Sequence, residues 1–185
     1  MGRKEKESDW ILIDQLADII LENVQGCVVD IGIGASTLVL AKHAKKYSRS
    51  QYSCDISSGR CAWARKLEWP IIYEMPSVEF IKQFPENEKV ALVFLDGEHL
   101  AETVLVEVNF FYPKMSTGGI MFLHDTYPSP GYIKEDGGWC GTVYRARLEL
   151  ETDSRFDCLT FPYTGFNYGI TMLIKKDLNQ PFYRR

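Results

Sequence analysis

A glycine-rich turn follows the first strongly apolar run of the chain. The segment "CVVDIGIGAST" reads as a buried strand ending near Asp30, followed by Gly32 and Gly34 and then by Ser36 and Thr37. A strand, a tight glycine turn and a helix in this order leave backbone N–H groups free to meet a ligand. The residue types therefore predict a ligand-binding turn, with a plain structural turn as the alternative.

The spacing and charge of this turn restrict the ligand. A dinucleotide fingerprint has a third glycine where this chain has Thr37, and a phosphate-binding P-loop needs a lysine that does not follow here. A carboxylate at Asp30 would repel a pyrophosphate and attract a ligand that bears ammonium and sulfonium groups. S-adenosylmethionine bears both, and its carboxylate can meet the N-terminus of the following helix. An NAD-dependent oxidoreductase is the alternative that this turn disfavours.

Asp55 ends the next strand-like run, "QYSCDIS", and is the second candidate for ligand binding. An acid at the end of the second strand of a nucleotide-binding sheet can accept hydrogen bonds from two ribose hydroxyls. This supports a nucleoside ligand without choosing between an adenosyl group and a dinucleotide. A surface acid that caps the following helix is the alternative.

Two acids and two histidines follow the fourth and fifth apolar runs. Asp96 and His99 come after "VALVFL", and His124 and Asp125 end "GIMFLHD". In open parallel sheets, ligands bind outside the carboxyl ends of the strands, so these side chains are expected at one site. Carboxylates with one imidazole suit Mg²⁺, Mn²⁺ or Ca²⁺ held by Asp96, His124 and Asp125. Without a metal, His124 or His99 would be a general base oriented by an acid such as Asp125.

Alternating strands and helices must position these residues. Five strands alternate with helices up to His124, and the central strands are continuous apolar runs, as in a parallel sheet covered on both faces. Then "FDCLTFP" and "YGITMLIKK" are joined by a short loop with Gly165 and Asn167, so they must pair antiparallel. The predicted fold class is α/β: a three-layer, doubly wound, mainly parallel seven-stranded sheet with a C-terminal antiparallel hairpin.

One long loop, "TYPSPGYIKEDGGWCG" at residues 126–141, leaves the fifth strand at the predicted site. Its glycine, proline and aromatic content predicts a mobile cover whose Tyr127, Tyr132 and Trp139 contact the acceptor. A loop without a role is the alternative. Trp63 and Trp69 are expected in the core, and residues 1–185 are expected to form one domain.

Composition restricts partners and location. The 185 residues are 45% hydrophobic, which suffices for one core. A net charge of -4 argues against a nucleic-acid partner. Five cysteines without a C-x-x-C pair fit reduced thiols in a cytosolic protein. With no signal-like segment or run of membrane-spanning length, we expect a cytoplasmic protein without a membrane partner.

Together these motifs resemble the class I S-adenosylmethionine-dependent methyltransferases over roughly residues 24–175. "VVDIGIGAST" is similar to the first motif of that family, "CDIS" to its second-strand acid, "MPSVEFI" to its adenine-flanking segment and "VFLDGEH" to its fourth-strand motif. The closing hairpin matches the reversed last strand of the family. "LDGEHLAETVLVEVNFFYPKMSTGGIMFLHD" resembles the branch of catechol-like and macrocin-like small-molecule O-methyltransferases.

The resemblance implies methylation of a small-molecule hydroxyl with S-adenosylmethionine as cofactor. It implies these cofactor-binding residues: Asp30, Gly32, Gly34, Ser36, Thr37, Asp55, Ile56, Ser77, Val78 and Asp96. In metal-dependent members a divalent ion binds two substrate oxygens, and His124 stands where some members have a glutamate ligand. The chain is short for the family, so a partner subunit of a homo-oligomer could supply a missing wall. A non-catalytic protein that binds an adenosyl ligand therefore stays open.

Overall fold

Seven strands form one sheet in the computed structural model, which describes residues 7–162 and 168–176. The strands are β1 (Cys27–Ile31), β2 (Gln51–Asp55), β3 (Ile71–Glu74), β4 (Val90–Leu95), β5 (Met115–His124), β6 (Phe156–Phe161) and β7 (Ile170–Lys175). The helices are α1 (Glu7–Asn23), α2 (Ala35–Lys46), α3 (Ser58–Arg65), α4 (Ser77–Gln83), α5 (Ala101–Phe111) and α6 (Val143–Leu150). Two 3₁₀ turns, Tyr112–Lys114 and Pro130–Tyr132, complete the described elements.

The order of strands in the sheet is β3-β2-β1-β4-β5-β7-β6. Strands β1 to β5 run parallel, and β7 pairs antiparallel with both β5 and β6. The predicted α/β fold, with its seven-stranded sheet and closing antiparallel hairpin, is confirmed. Gly165 and Asn167, in the loop of that hairpin, lie outside the described residues. Between β1 and β4 the strand order reverses, and this is where ligands bind in open parallel sheets.

The central strands are buried on both faces, which explains their continuous apolar sequence. Every residue of β1 and β4 is buried. Along β4, Val93 and Leu95 pack into one core layer, while Leu92 and Phe94 pack into the other. Successive side chains of a strand point to opposite faces, so both faces need apolar residues. Helix α1 supplies the second layer through residues such as Ile13 and Leu21.

Two expectations about these elements are corrected. The apolar pattern of "LAETVLVEVNFFYPKM" predicts one helix that reaches Met115, but α5 ends at Phe111 and a 3₁₀ turn follows. Pro113 lies in that turn and has no N–H to continue a helix. Trp63 is 40% exposed rather than in the core. Trp69 does pack against the α1–α2 core layer, and its indole N–H donates to the Arg49 carbonyl at 3.1 Å.

The five cysteines are all free thiols, and only Cys158 is more than slightly exposed. Burial raises the pKa of the Cys140 thiol to about 12. Such thiols are poor nucleophiles, which fits a packing role for them. Among the described helices, none has the length and apolar character needed to cross a membrane.

Candidate active site

The glycine turn after β1 lies at the point where the strand order reverses. Gly32 has a φ of 93°, and a Cβ there would stand 2.0 Å from the backbone oxygen of Asp96. Its N–H donates to the carbonyl of Cys54 at 2.9 Å. Only glycine permits this conformation and this approach. Gly32 therefore brings the ends of β1, β2 and β4 together at one crevice.

Asp30 lies beneath the turn instead of in the crevice. Its carboxylate is fully buried and accepts hydrogen bonds from Ser36 Oγ at 3.1 Å and from Thr37 Oγ1 at 2.6 Å. Burial raises the pKa of Asp30 to about 7, although the hydroxyl donors oppose the rise. The expectation that Asp30 meets a cationic ligand directly is therefore wrong, because its side chain does not reach the crevice. The three side chains fix the first turn of α2 to the end of β1, because buried polar groups pair with one another.

A cavity of about 370 Å³ opens at the carboxyl ends of β1, β2 and β4. Five of the predicted cofactor-binding residues line it: Gly32, Asp55, Ile56, Ser77 and Asp96. The lining also includes seven residues that were not predicted to bind the cofactor: Ile31, Cys54, Arg60, Met75, Pro76, Gly97 and Glu98. The other five residues predicted to bind the cofactor lie outside this lining: Asp30, Gly34, Ser36, Thr37 and Val78. The cavity has the size and mixed polarity of a small-molecule site.

Asp55 is held rigidly at the rim of the cavity. Its Oδ2 accepts the N–H of Ile33 at 2.9 Å, and its Oδ1 accepts the N–H of Ser57 at 2.7 Å. Arg60 Nη1 lies 3.3 Å from Oδ2, and Ser57 is the N-cap of α3. Asp55 is therefore neither a surface residue nor the N-cap of α3, although it fixes the loop before that helix, and it also lines the cavity. Each carboxylate oxygen has two lone pairs, so acceptor capacity is left for a ligand.

Asp96, His99, His124 and Asp125 converge beside this cavity. His124 Nδ1 lies 3.2 Å from Asp96 Oδ1 and 2.9 Å from Asp125 Oδ1. His99 Nε2 lies 3.4 Å from Asp96 Oδ1 and 3.6 Å from Asp125 Oδ2. We call these four residues the acid–imidazole cluster. Strands β4 and β5 are parallel neighbours, so their carboxyl ends bring the four side chains to one place.

Asp125 occupies a left-handed backbone conformation with a φ of 58°. A residue other than glycine pays about 1 kcal/mol or more for this, and aspartate tolerates it best. The following residue, Thr126, donates its N–H to Gly169 just before β7, at 3.2 Å. The end of β5 is therefore held in a strained turn that keeps the Asp125 carboxylate within reach of both imidazoles.

Charges inside the cluster shift two of its pKa values. Burial would raise the pKa of Asp96, but the charge and hydrogen bond of His124, aided by His99, outweigh it and hold that pKa well below its usual range. For His99, burial lowers the pKa, but the hydrogen bond to Asp96 and the charge of Asp125 outweigh it, so the net shift is upward. The Asp96 carboxylate is therefore ionised at neutral pH, and positive charge is favoured beside it.

The cluster meets the requirements of a divalent cation. One ligand atom each from Asp96, His124 and Asp125 lies within 4.8 Å of the others. Asp125 Oδ1 is buried, and its 2.9 Å contact with His124 Nδ1 lacks the geometry of a hydrogen bond. Carboxylate and imidazole donors at this separation can close on one ion.

Trp10 of α1 is a site residue that the sequence reasoning missed. Its ring lies parallel to the imidazole of His124, with centroids 6.1 Å apart and 8° between the planes. Phe94 packs against both rings, with a centroid distance of 6.1 Å to each. In the sequence Trp10 is one of several apolar residues at helical spacing near the N-terminus, and nothing links that position to His124.

The 126–141 loop packs against the cluster through its C-terminal end. His99 Nδ1 is hydrogen-bonded to the carbonyl of Trp139, and Thr142 N–H donates to the His99 carbonyl at 2.8 Å. Tyr132 makes an edge contact with Trp139, with centroids 5.4 Å apart. Tyr127 packs instead beneath the guanidinium of Arg147 of α6, 5.0 Å from its ring centroid. Contact of these aromatic residues with an acceptor stays a prediction.

A doubly wound sheet with a reversed seventh strand and a crevice between β1 and β4 is the fold of the class I methyltransferases. A family described as a methyltransferase domain matches residues 29–126, more than half of the chain. The chain therefore belongs to this methyltransferase domain family, and the resemblance seen in the sequence is confirmed.

Solved structures share this fold at low sequence identity. An O-methyltransferase from Bacillus cereus in complex with SAH gives a TM-score of 0.73 at 12% identity, covering 95% of this chain and 84% of that chain. TomG, an O-methyltransferase from Streptomyces achromogenes involved in tomaymycin synthesis, in complex with SAM, gives a TM-score of 0.68 at 15% identity, covering 91% of this chain and 79% of that chain. A protein from Clostridium thermocellum described as an rRNA methylase gives 0.65 at 17%, covering 88% and 96%. No curated protein matches the sequence.

Proposed function

We propose that this protein is an S-adenosylmethionine-dependent methyltransferase that methylates a hydroxyl group of a small molecule. One observation carries the proposal: Asp96 lines the cavity beside Asp55 and is also a member of the acid–imidazole cluster. A methyl donor in the cavity and a hydroxyl at the cluster would therefore be neighbours. The solved structures of B. cereus and S. achromogenes, which hold SAH and SAM in the same fold, support this choice of donor.

The residues of the cavity fit an adenosyl ligand. The Asp55 carboxylate would accept hydrogen bonds from ribose hydroxyls. Ile56 is 75% exposed although it is large and apolar, which suits contact with the face of an adenine ring. Ser77, at the start of α4, also lines the cavity. These contacts do not need the charge of Asp30, whose proposed role is to support the turn from below.

Gly34 supports a ligand at the turn. Its φ is -166°, an extended conformation open to any residue, and a Cβ there would meet no described atom within 4 Å. Packing within the described protein does not require a glycine at this N-cap position of α2. Close approach of a ligand to the start of α2 would explain one, since its N–H groups favour a carboxylate.

At the cluster, the chain must place an acceptor oxygen in line with the methyl group and remove its proton. The C–O bond forms as the S–CH₃ bond breaks, and the hydroxyl proton leaves to an imidazole of His99 or His124 or to solvent. Because the sulfonium donor is already reactive, alignment and exclusion of water supply much of the rate. Asp96, His124 and Asp125 would hold a divalent cation, which when bound lowers the pKa of the acceptor hydroxyl.

The first test is calorimetric. We expect S-adenosylhomocysteine to bind and NAD not to bind; binding of NAD alone would overturn the proposal in favour of an oxidoreductase. Turnover is then measured with phenols, sugars and hydroxycarboxylic acids, with and without Mg²⁺ or Mn²⁺. Ligand binding without any turnover on these acceptors would support the non-catalytic alternative. A ribosomal RNA fragment is the comparison acceptor, which the net charge of -4 disfavours.

A further inference from the structure

We propose that His99 is a fourth ligand of the cation and that it couples ion binding to docking of the 126–141 loop. This inference rests on the cation site of the proposed function. His99 lies between β4 and α5, and its imidazole would be the second one at the site. The site would then have two carboxylates and two imidazoles as donors.

The hydrogen bond of His99 Nδ1 indicates which ring nitrogen faces the cluster. The carbonyl of Trp139 can only accept, so Nδ1 must carry a proton. In the neutral ring, Nε2 then presents its lone pair to Asp96 Oδ1 and Asp125 Oδ2, at 3.4 and 3.6 Å. A lone pair facing two carboxylates is unfavourable unless a second proton or a cation lies between them. Histidine ligands of metals usually donate their other N–H to a backbone carbonyl or carboxylate, as His99 does.

Asp125 points to a cation independently of His99. Asp125 is only 7% exposed, and its Oδ1 lies 2.9 Å from His124 Nδ1 without the geometry of a hydrogen bond. A buried carboxylate oxygen whose neighbour makes no well-formed hydrogen bond to it has acceptor capacity left for a cation. Since Oδ2 of the same carboxylate faces His99 Nε2, a cation between these groups would satisfy both side chains.

The donor set also predicts which ions bind best. Mg²⁺ and Ca²⁺ prefer oxygen ligands, and Mg²⁺ usually keeps several of its waters. Imidazole is a better ligand for the later first-row divalent ions, such as Zn²⁺. Two imidazoles should therefore make Co²⁺ or Zn²⁺ bind at least about tenfold more tightly than Mg²⁺, with the affinity for Mn²⁺ lying between them.

The loop is wrapped closely around His99. Gly141 has a φ of 51°, and a Cβ on it would lie 1.7 Å from the His99 carbonyl oxygen. Trp139 also has a positive φ of 55°, in the conformation that directs its carbonyl to His99 Nδ1. The Thr142 side chain accepts the N–H of Ala101 at 2.9 Å. An ion that fixes the His99 ring must therefore favour the docked loop, and by linkage the docked loop must favour the ion.

The test is a Mn²⁺ titration of the full chain, followed by calorimetry and by hydrogen exchange of the amides at residues 137–142. For wild type we expect binding together with slower exchange of these amides. For His99→Ala we expect affinity for Mn²⁺ to fall at least about tenfold and the added protection to disappear. Glu102→Gln, which removes an exposed acid from the first turn of α5, is the matched control and should behave as wild type.

The outcomes separate this inference from the site on which it rests. If wild type binds none of the ions, the cation site itself fails. If His99→Ala binds Mn²⁺ as tightly as wild type, with the same protection of the loop, the site stands and His99 is not a ligand. Electron spin-echo spectra of Mn²⁺ in wild type need no variant: two coupled imidazole nitrogens are expected, and a single one would overturn the inference.

Discussion

Asp30 at the end of β1 accepts a hydrogen bond of 2.6 Å from Thr37 Oγ1, and both side chains are fully buried. The same hydroxyl oxygen accepts the N–H of Gly34 at 3.0 Å. The glycine turn therefore derives its shape from a polar network of the protein itself. A ligand in the crevice meets a turn that is already held in place, which lowers the entropy lost on binding.

Thr37→Val should destabilise the fold. It is nearly isosteric but removes a hydroxyl that Asp30 and Gly34 both use, leaving buried polar groups without a partner. We expect the free energy of unfolding, measured in urea, to fall by about 1–3 kcal/mol. Thr37→Ser keeps the hydroxyl and is the control. Its free energy of unfolding should fall by less than that of Thr37→Val. Equal stability of Thr37→Val and wild type would show that the network contributes nothing.

Asp30→Asn should change how stability depends on pH. Burial raises the pKa of Asp30 to about 7 in the folded protein, against an ordinary value near 4 in the unfolded chain. The folded state thus holds a proton that the unfolded state has lost, so this group's contribution is fully present below about pH 4 and is lost as pH rises through about 7. The variant should lose that downward slope, by up to about 1.4 kcal/mol per pH unit.

Glu107 of α5 is expected to make the free energy of unfolding fall further as pH rises, in the same direction as Asp30 does. It is buried, and burial raises its pKa to about 7, opposed by a hydrogen bond with Ser77. In Asp30→Asn the free energy of unfolding should therefore still fall between about pH 4 and 7, but less steeply than in wild type. Unfolding in urea at several pH values measures it, with Glu102→Gln as the exposed control. If the free energy of unfolding of Asp30→Asn depended on pH as steeply as that of wild type, the raised pKa of Asp30 would be contradicted.

Asp55→Ala should weaken binding of S-adenosylhomocysteine by about tenfold or more, since one lost charged hydrogen-bond partner costs about 1.5–3 kcal/mol. The variant also loses the acceptors for Ile33 and Ser57, so stability is measured in parallel. Asp55→Asn keeps one acceptor and should bind with intermediate affinity. Glu79→Gln, on the exposed face of α4, is the control and should bind as wild type does. Unchanged affinity in folded Asp55→Ala would exclude a role in ligand binding.

Trp10→Ala should slow turnover while leaving S-adenosylhomocysteine affinity unchanged. Trp10 lies against His124 and away from the residues named in the cavity lining, so we regard it as a positioning residue for that imidazole. We expect kcat to fall by about tenfold, as other supporting contacts do, and Trp10→Phe to recover most of the loss. Trp63→Ala removes a half-exposed tryptophan from α3 and is the matched control. A loss confined to stability, with kcat of the folded fraction intact, would make Trp10 purely structural.

Removal of divalent ions should distinguish the two interpretations of the acid–imidazole cluster. With a cation, treatment with a chelator lowers turnover, Mn²⁺ restores it, and Asp125→Ala cannot be restored. With an imidazole acting as the base, the chelator has no effect, and turnover requires His99 or His124. Metal-stimulated turnover that survives in Asp125→Ala would show that the cation assignment is wrong.

The order and type of the elements could be predicted from the sequence, because apolar periodicity and glycine turns are local properties of the chain. The continuous apolar runs "CVVDI" and "VALVFL" predicted central parallel strands, and the short connection after "FDCLTFP" predicted a reversed strand. Strand ends are local too, so the sequence alone indicated that Asp55, Asp96 and Asp125 share one edge of the sheet. Pro113 shows the limit of periodicity, since it ended a helix inside a continuous apolar pattern.

Side-chain direction and long-range contact were decided only by the tertiary structure. Asp30 turns under the glycine loop, away from the crevice, because the hydroxyls of Ser36 and Thr37 reach it there once α2 packs on the sheet. Trp10 meets His124 only because α1 crosses β4 and β5, and His99 meets Trp139 only because the long loop folds back. Such contacts join residues far apart in the chain, and they depend on packing that no local pattern records.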